Sequence, residues 1–335
     1  MRRTIALFLA ASVLGLTWAR SDLPPAPMGP RPELGVKPMA LPSAEVLARQ
    51  LGPFALEGAW QIVSSHEEVY GYSALTVRPD GVLLAFSDGG KVLAFSPPGA
   101  RPQPPRTSSV KLADSGREKS SRDVESATWD PVSGRFWLGL EGTNRIVRLS
   151  PEMRETGRIA PPAMRRWGPN SGAEAMARLH DGRFVAIREV TSSWIEGRSH
   201  EALLFAGDPI ENPEPAHFRL DGPDAFSVVD MAELPDGRAL ILMRRLVWPM
   251  PMRFAGRIVI ADTARIRPGA VWHSVPLASL ESPLPVDNFE AIAVQPRADG
   301  RIVVWLMSDD NNWRVLQRTL LWKLSVDPAQ LPWPK

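Results

Sequence analysis

Five times between residues 73 and 306 the sequence runs the same course: a polar residue, an alternating apolar strand, a turn ending in Gly, and a second apolar strand. The segments are Ser73-Ala-Leu-Thr-Val-Arg-Pro-Asp-Gly81 before Val82–Phe86, and Glu125-Ser-Ala-Thr-Trp-Asp-Pro-Val-Ser-Gly134 before Phe136–Leu140. Then come Glu174-Ala-Met-Ala-Arg-Leu-His-Asp-Gly182 before Phe184–Ile187, and Asp230-Met-Ala-Glu-Leu-Pro-Asp-Gly237 before Ala239–Met243. The last is Glu290-Ala-Ile-Ala-Val-Gln-Pro-Arg-Ala-Asp-Gly300 before Ile302–Leu306. Their leading residues stand 52, 49, 56 and 60 positions apart. Asp-Gly between apolar runs marks a hairpin, because both residues tolerate positive φ. A hairpin plus one or two further strands at this period is one blade of a propeller. Third strands follow at Val92–Phe95, Ile146–Leu149, Leu203–Phe205, Ile258–Ile260 and Thr319–Leu324. The pattern predicts an all-β protein, a single β-propeller over residues 54–335 with five blades, or six if one blade departs from the pattern. A β-sandwich with unrelated hairpins is the competing architecture. Leu56–Val63 has no blade of its own and is placed to close the ring against the last one.

A propeller blade sets its first strand on the central channel and runs its second strand back beside it. The starts of the first strands and the ends of the second therefore share one rim. Four of the five starts are carboxylates: Glu125, Glu174, Asp230 and Glu290. The second strands end in Ser87-Asp88-Gly-Gly90, Glu141-Gly142, Arg188-Glu189, Arg244-Arg245 and Ser308-Asp-Asp-Asn-Asn312. Converging carboxylates raise one another's pKa or take a cation between them. Carboxylate and amide oxygens suit Ca²⁺, which makes Asp88, Glu125, Glu174, Asp230, Glu290 and Asp310 candidate ligands. Glu125, Glu174, Glu290 and Asp309 are the candidates for holding metal or water in catalysis. Arg188, Arg244 and Arg245 are candidates for gripping an anionic ester in bidentate fashion. A metal with arginines at a concave mouth suits phosphoester hydrolysis. Two structural roles compete: strand-start acids can accept N–H bonds from the next blade, and Asp88, Asp309 and Asp310 can cap their own turns.

Other chemistries lack their residues. The chain has no Cys, which removes disulfides, thiol nucleophiles and thiolate metal sites. No G-x-S-x-G elbow, H-E-x-x-H, P-loop or dinucleotide fingerprint occurs. His180 falls in a hairpin turn away from the acidic rim, so a Ser-His-Asp triad has no support. Ser108-Ser-Val-Lys111 has the S-x-x-K spacing without its companion motifs. Most Trp residues alternate with strand apolars and read as core, whereas Trp248-Pro-Met-Pro251 and Trp313 suit a binding surface.

The sequence pI of about 9.1 raises the question of nucleic acid. The N-terminus answers it. Arg2 and Arg3 precede the apolar run Ile5–Trp18 and Ala19, the layout of a signal peptide over residues 1–19. An uncleaved anchor is the alternative, though the run is short for a bilayer span. Cleavage removes two charges and takes the formal net charge from +2 to zero. The expectation is a periplasmic or secreted monomer with no nucleic-acid partner and no stable membrane anchor. Residues 20–53, rich in Pro24, Pro25, Pro27, Pro30, Pro32, Pro38 and Pro42, read as an extended linker.

Three stretches resemble a known family, the exported phytase-like β-propellers with esterase-like activity of phytase. They are Asp287-Asn-Phe-Glu-Ala-Ile-Ala-Val294 with Ser308-Asp-Asp-Asn-Asn312 and Gln317-Arg-Thr-Leu-Leu321; Asn170-Ser-Gly-Ala-Glu174; and Gly71-Tyr-Ser-Ala-Leu75 with Ser87-Asp-Gly-Gly90. The resemblance implies hydrolysis of a phosphoester or related ester, and it adds Asn170 and Asn288 as substrate-binding candidates. The chain departs from the family's pattern at Gly89, and at Ser126 and Ala291, where Gly is expected after Glu125 and Glu290; larger residues there are expected to narrow the channel. A non-catalytic periplasmic module binding a ligand or protein, and a sugar-lactone hydrolase, are the alternative functions.

Overall fold

A computed structural model of the protein describes residues 31–113, 122–168, 172–191, 199–247, 253–313 and 316–334. Strand β1 (Gly35–Pro38), helix α1 (Ala44–Leu51) and strand β2 (Ala55–Val63) precede the first blade. That blade is β3 (Tyr72–Val77), β4 (Leu83–Ser87), β5 (Lys91–Phe95) and β6 (Arg106–Ser109). The second is β7 (Val124–Trp129), β8 (Phe136–Leu140), β9 (Arg145–Leu149) and β10 (Glu155–Ile159). The third comprises β11 (Ala173–Arg178), β12 (Phe184–Thr191), β13 (Ser199–Phe205) and β14 (Ala216–Asp221). The fourth has β15 (Ser227–Glu233), β16 (Arg238–Val247) and β17 (Arg253–Asp262); its last strand is β19 (Ser274–Leu280), after β18 (Val271–Trp272) crosses to pair in parallel with β14. The fifth blade is β20 (Phe289–Pro296), β21 (Ile302–Ser308) and β22 (Leu320–Val326), completed by β2 and β1. The fold is a five-bladed β-propeller.

Ring closure joins the two ends of the chain. Strand β2 runs antiparallel to β22, from Ala55 opposite Ser325 to Gln61 opposite Leu320. The segment from Leu56 closes the last blade, as its lack of a partner implied. The linker expectation is corrected over its second half. Strand β1 pairs with β2, from Gly35 opposite Val63 to Pro38 opposite Trp60. Ser43 caps α1 by accepting the Val46 N–H, and Leu51 is wholly buried in the core shared by the fourth and fifth blades. Pro38 is compatible with a strand here because β1 lies at the edge of its sheet, where Pro is tolerated. The signal-peptide segment 1–19 lies outside the described residues.

The blades pack face to face, so their second strands are covered on both sides. Every residue of β4 and of β21 is buried. A sandwich strand would instead alternate between core and solvent. Aromatic pairs bridge neighbouring blades: Phe86 meets Phe136 at 5.9 Å between ring centroids, and Trp137 meets Phe184 edge-on at 4.9 Å. Each hairpin turn places its Gly at positive φ: Gly81, Gly134, Gly182, Gly237 and Gly300. Asp80, Asp181, Asp236 and Asp299 each accept the N–H two residues on, which fixes the turn. These acids are used up structurally, on the face away from the strand starts.

Candidate functional site

One irregularity recurs at the start of every first strand. The register against the second strand skips a residue between Tyr72 and Ala74, Val124 and Ser126, Ala173 and Ala175, Val228 and Asp230, and Phe289 and Ala291. The bulged residues are therefore Ser73, Glu125, Glu174, Val229 and Glu290. A bulge adds a residue to one strand and re-aims its side chain. In three blades that side chain is a glutamate.

These glutamates meet the ends of the second strands. Carboxylate oxygens of Asp123, Glu125 and Glu141 lie within 4.8 Å of one another, as do those of Glu141, Glu174 and Glu189. Glu141 belongs to both groups. It accepts the Gly172 N–H and is hydrogen-bonded to Glu174, an arrangement that needs one shared proton. A Cβ on Gly172 would stand 2.7 Å from the Glu141 Cα, so the close approach requires Gly there. Burial first, then Glu125, Glu189 and Glu141, push the Glu174 carboxyl well above the ordinary range. Burial, Glu290, Asp123, Glu141 and Asp309 do the same to Glu125. Asp309 is raised by burial, Glu290, Asp88 and Asp310. Oxygens sharing one Ca²⁺ at about 2.3–2.6 Å each can be no more than about 5 Å apart. Both groups fit a hard divalent ion by spacing and by chemistry.

Arg244 is the cation of this cluster. One of its terminal nitrogens donates to Glu290 and, at 2.6 Å, to the Asn288 Oδ1; the other reaches Glu189 at 3.3 Å. Asn288, wholly buried, donates to Glu290 at 2.5 Å and so fixes both partners. Glu290, Glu189 and Glu174 outweigh the burial of the guanidinium and hold it charged.

The sequence matches the profile of the family described as "Phytase-like: Esterase-like activity of phytase" over residues 67–312, most of the chain. The chain belongs to the phytase-like family. No curated protein matches it. Among solved structures, Myxococcus xanthus glutaminyl cyclase is similar at 13% identity and TM-score 0.44, covering 82% of this chain and 97% of that one. A nidogen/laminin complex is similar at 10% identity and TM-score 0.42, covering 79% and 90%. Kuenenia stuttgartiensis hydrazine synthase follows at 12% and 0.37, covering 72% and 57%. Likenesses this remote carry no functional argument.

Within the phytase-like propeller, Glu125, Glu174, Glu290 and Asp309 act on one another as the strand positions implied, with Asp88 beside Glu290 and Asp309. Asp230 does not join them. It stands one residue past its blade's bulge, and its carboxylate accepts the Met231 N–H and the Ile292 N–H of the next blade, both at 2.8 Å. That is the structural role, not the metal-binding one. Asp310 is likewise corrected: its oxygens take the Gly71 and Asn312 N–H groups and the Thr319 hydroxyl. Arg188 pairs with Glu201 across to β13. Arg245 points away from Arg244, as neighbours on a strand must, and lies 4.7 Å over the Phe226 ring. Asn288 positions Arg244 and Glu290 instead of facing open space. Asn170 lies outside the described residues. Ser126 donates to the Ala173 carbonyl at 2.5 Å, and Ala291 packs in the apolar core shared by the first and fifth blades; both are fully buried.

Asp123, Glu141 and Glu189 join the candidate site without having been singled out. Glu141 and Glu189 carried a signal, since each ends a second strand. Asp123 carried only its place just ahead of β7. At the opposite mouth lies a cavity of about 570 Å³, floored by Leu75, Ala127, Ala177 and Met231. His180 stands there, held to Glu233 at 2.5 Å and remote from the carboxylates.

Proposed function

We propose that the protein is an exported hydrolase of a phosphoester or related ester, assisted by Ca²⁺ at the acidic mouth of the propeller. The observation that carries this reading is the pair of carboxylate groups sharing Glu141, set beside an arginine locked in its charged form. Asp123, Glu125, Glu141, Glu174 and Glu189 are the residues that would hold the ion. A divalent cation bound there supplies a polarising charge and a water of lowered pKa.

The chain's own groups divide the remaining work. Arg244 presents positive charge to an anionic ester, and its three anchors keep the guanidinium from swinging away. Preorganised charge of this kind is effective because it costs no reorientation during reaction. Asp309 carries a proton further up the pH scale than an ordinary aspartate, so it is the group suited to protonate a leaving oxygen. Glu141 and Glu174 share a proton in the ion's absence, and release of that proton prepares them for a cation.

The test is hydrolysis of a generic aryl phosphoester by the full chain, with and without Ca²⁺, compared with a sugar lactone in the same buffer. Ca²⁺-dependent phosphoester turnover, lost in Glu174→Gln, is expected. Tight ligand binding without turnover of either compound would leave a binding module instead. Export is tested separately, by sequencing the N-terminus of protein recovered outside the cytoplasm; a mature chain starting near residue 20 is expected.

A further inference from the structure

Glu189 reaches both a carboxylate group and Arg244, yet it stands where its strand leaves regular pairing. From Ile187 to Thr191 strand β12 takes four steps, while β13 takes two between their partners Ala202 and His200. The surplus carries Arg188 and Glu189 out of the ladder with β13. Backbone that leaves a ladder needs its polar groups met in another way.

His200 meets one of them. It is wholly buried, on the face of β13 that Ala202 turns to the core shared by the third and fourth blades. Its Nδ1 lies 3.0 Å from the Glu189 carbonyl oxygen. A carbonyl only accepts, so Nδ1 carries the hydrogen. Burial lowers the pKa of the ring, which keeps it neutral and leaves Nε2 bare. That second nitrogen is buried with no hydrogen-bond partner among the described residues. An unsatisfied buried polar group costs about 1–3 kcal/mol, and an apolar side chain at this position would avoid the cost. The histidine is explained by what its other nitrogen holds.

We infer that His200 is a positioning residue, whose Nδ1–H pins the Glu189 carbonyl and so holds the Glu189 carboxylate against Glu141, Glu174 and Arg244. The inference rests on the ion site proposed above and adds to it a group that touches neither ion nor substrate. If the bulge relaxes, the 3.3 Å pair between Glu189 and Arg244 goes with it. Loss of a partner that orients a metal ligand from behind typically lowers metal affinity by about 10–100-fold.

Two measurements on the full chain test this. In EDTA, magnetic resonance of isotopically labelled histidine nitrogens reads the tautomer, the His200 signals being assigned by their loss in His200→Leu. A hydrogen on Nδ1 that exchanges slowly with solvent is expected; a ring with no hydrogen on Nδ1 overturns the inference. Calorimetric titration with Ca²⁺ follows. His200→Leu, close to histidine in size but lacking a donor, should bind Ca²⁺ about ten-fold or more weakly than the parent. His200→Asn, whose amide N–H can stand in for Nδ1–H, should recover most of the parent affinity although it fills the space less well. A residue serving packing alone would give the reverse order, and that order, or equal affinities in the two variants, overturns the inference. If the parent takes up no Ca²⁺, the proposed function fails instead. The inference is then decided in EDTA by the melting midpoints of His200→Leu, Glu189→Gln and the double variant. Non-additive shifts are expected, because Glu189 meets its charged neighbours only where His200 holds it; additive shifts overturn the inference.

Discussion

Glu174 and Asp230 open the same repeat when the sequence is read, and both are buried carboxylates in the folded ring. Their surroundings have nothing in common. Glu174 sits on a bulge and faces Glu125, Glu141 and Glu189. Asp230 sits one residue beyond its bulge and faces two backbone N–H groups, one of them on the next blade. A slip of one position in a strand turns a side chain to the other face. It also turns a candidate metal ligand into a staple between blades. The role of a repeat carboxylate is set by register against the neighbouring strand, and motif position alone does not determine it.

The largest effect that would sharpen this contrast is on turnover. Glu174→Gln keeps the shape and a hydrogen bond to Glu141 but removes an ionisable ligand. Phosphoester hydrolysis should fall by about 10²-fold or more, the scale of losing a group that handles protons in the transition state. The urea midpoint should not fall, since a neutral amide relieves repulsion. Equal loss of activity and stability would break the distinction.

Asp230→Ala is the reciprocal experiment. It strands two buried N–H groups, each costing about 1–3 kcal/mol when unsatisfied. Equilibrium unfolding should show a loss of about 2–5 kcal/mol, while activity per folded molecule stays within a few-fold. A large activity loss in a stably folded Asp230→Ala protein would return Asp230 to the site.

How much of this was legible in the sequence follows from the same contrast. The five Asp-Gly or Ser-Gly hairpins carry period, turn chemistry and apolar alternation together, so blade number and ring closure could be read. The carboxylate rim could be read in outline, because strand direction alone places Glu125, Glu174, Glu290 and Asp309 at one end. The bulge in β15 could not, since Val228 and Val229 are equally good strand residues on either side of the slip. Nor could the division of labour along one strand at Arg244 and Arg245, which depends on which face β16 turns to the channel. Folding of residues 35–52 was hidden by the prolines around it; only Ser43, followed by an apolar spacing at Val46, Leu47 and Leu51, marked a capped helix.

Ion binding separates the two carboxylates by a smaller margin. Saturating Ca²⁺ at about 100 times its dissociation constant would stabilise the native ring by about 2.7 kcal/mol. The rise in melting midpoint should vanish in Glu141→Gln, which belongs to both carboxylate groups. It should persist in Asp230→Asn. A Ca²⁺ shift that survives Glu141→Gln would place the ion elsewhere.

The pH dependence gives the smallest effect and the finest division. Glu125, Glu174, Asp309 and Asp230 all have carboxyls raised above their ordinary values of 4.5 or 3.8. The native state therefore holds protons that the unfolded chain has released. Stability from these groups is fully present below the ordinary values and is lost as pH rises through the raised ones. Both kinds of carboxylate give that sign, so a titration in EDTA cannot tell them apart. Ca²⁺ can, at constant ionic strength. It binds the deprotonated rim and so offsets the loss from Glu125 and Glu174 as pH rises, but it has no access to the oxygens of Asp230. The parent in EDTA should show the steepest fall in unfolding free energy from pH 5 to 8, and the parent in Ca²⁺ a shallower one. Asp230→Asn should flatten the residual slope in Ca²⁺, whereas Glu174→Gln should flatten the slope in EDTA. If Ca²⁺ leaves the parent's slope unchanged, the rim carboxylates are not the ligands, and the difference between Glu174 and Asp230 is one of packing alone.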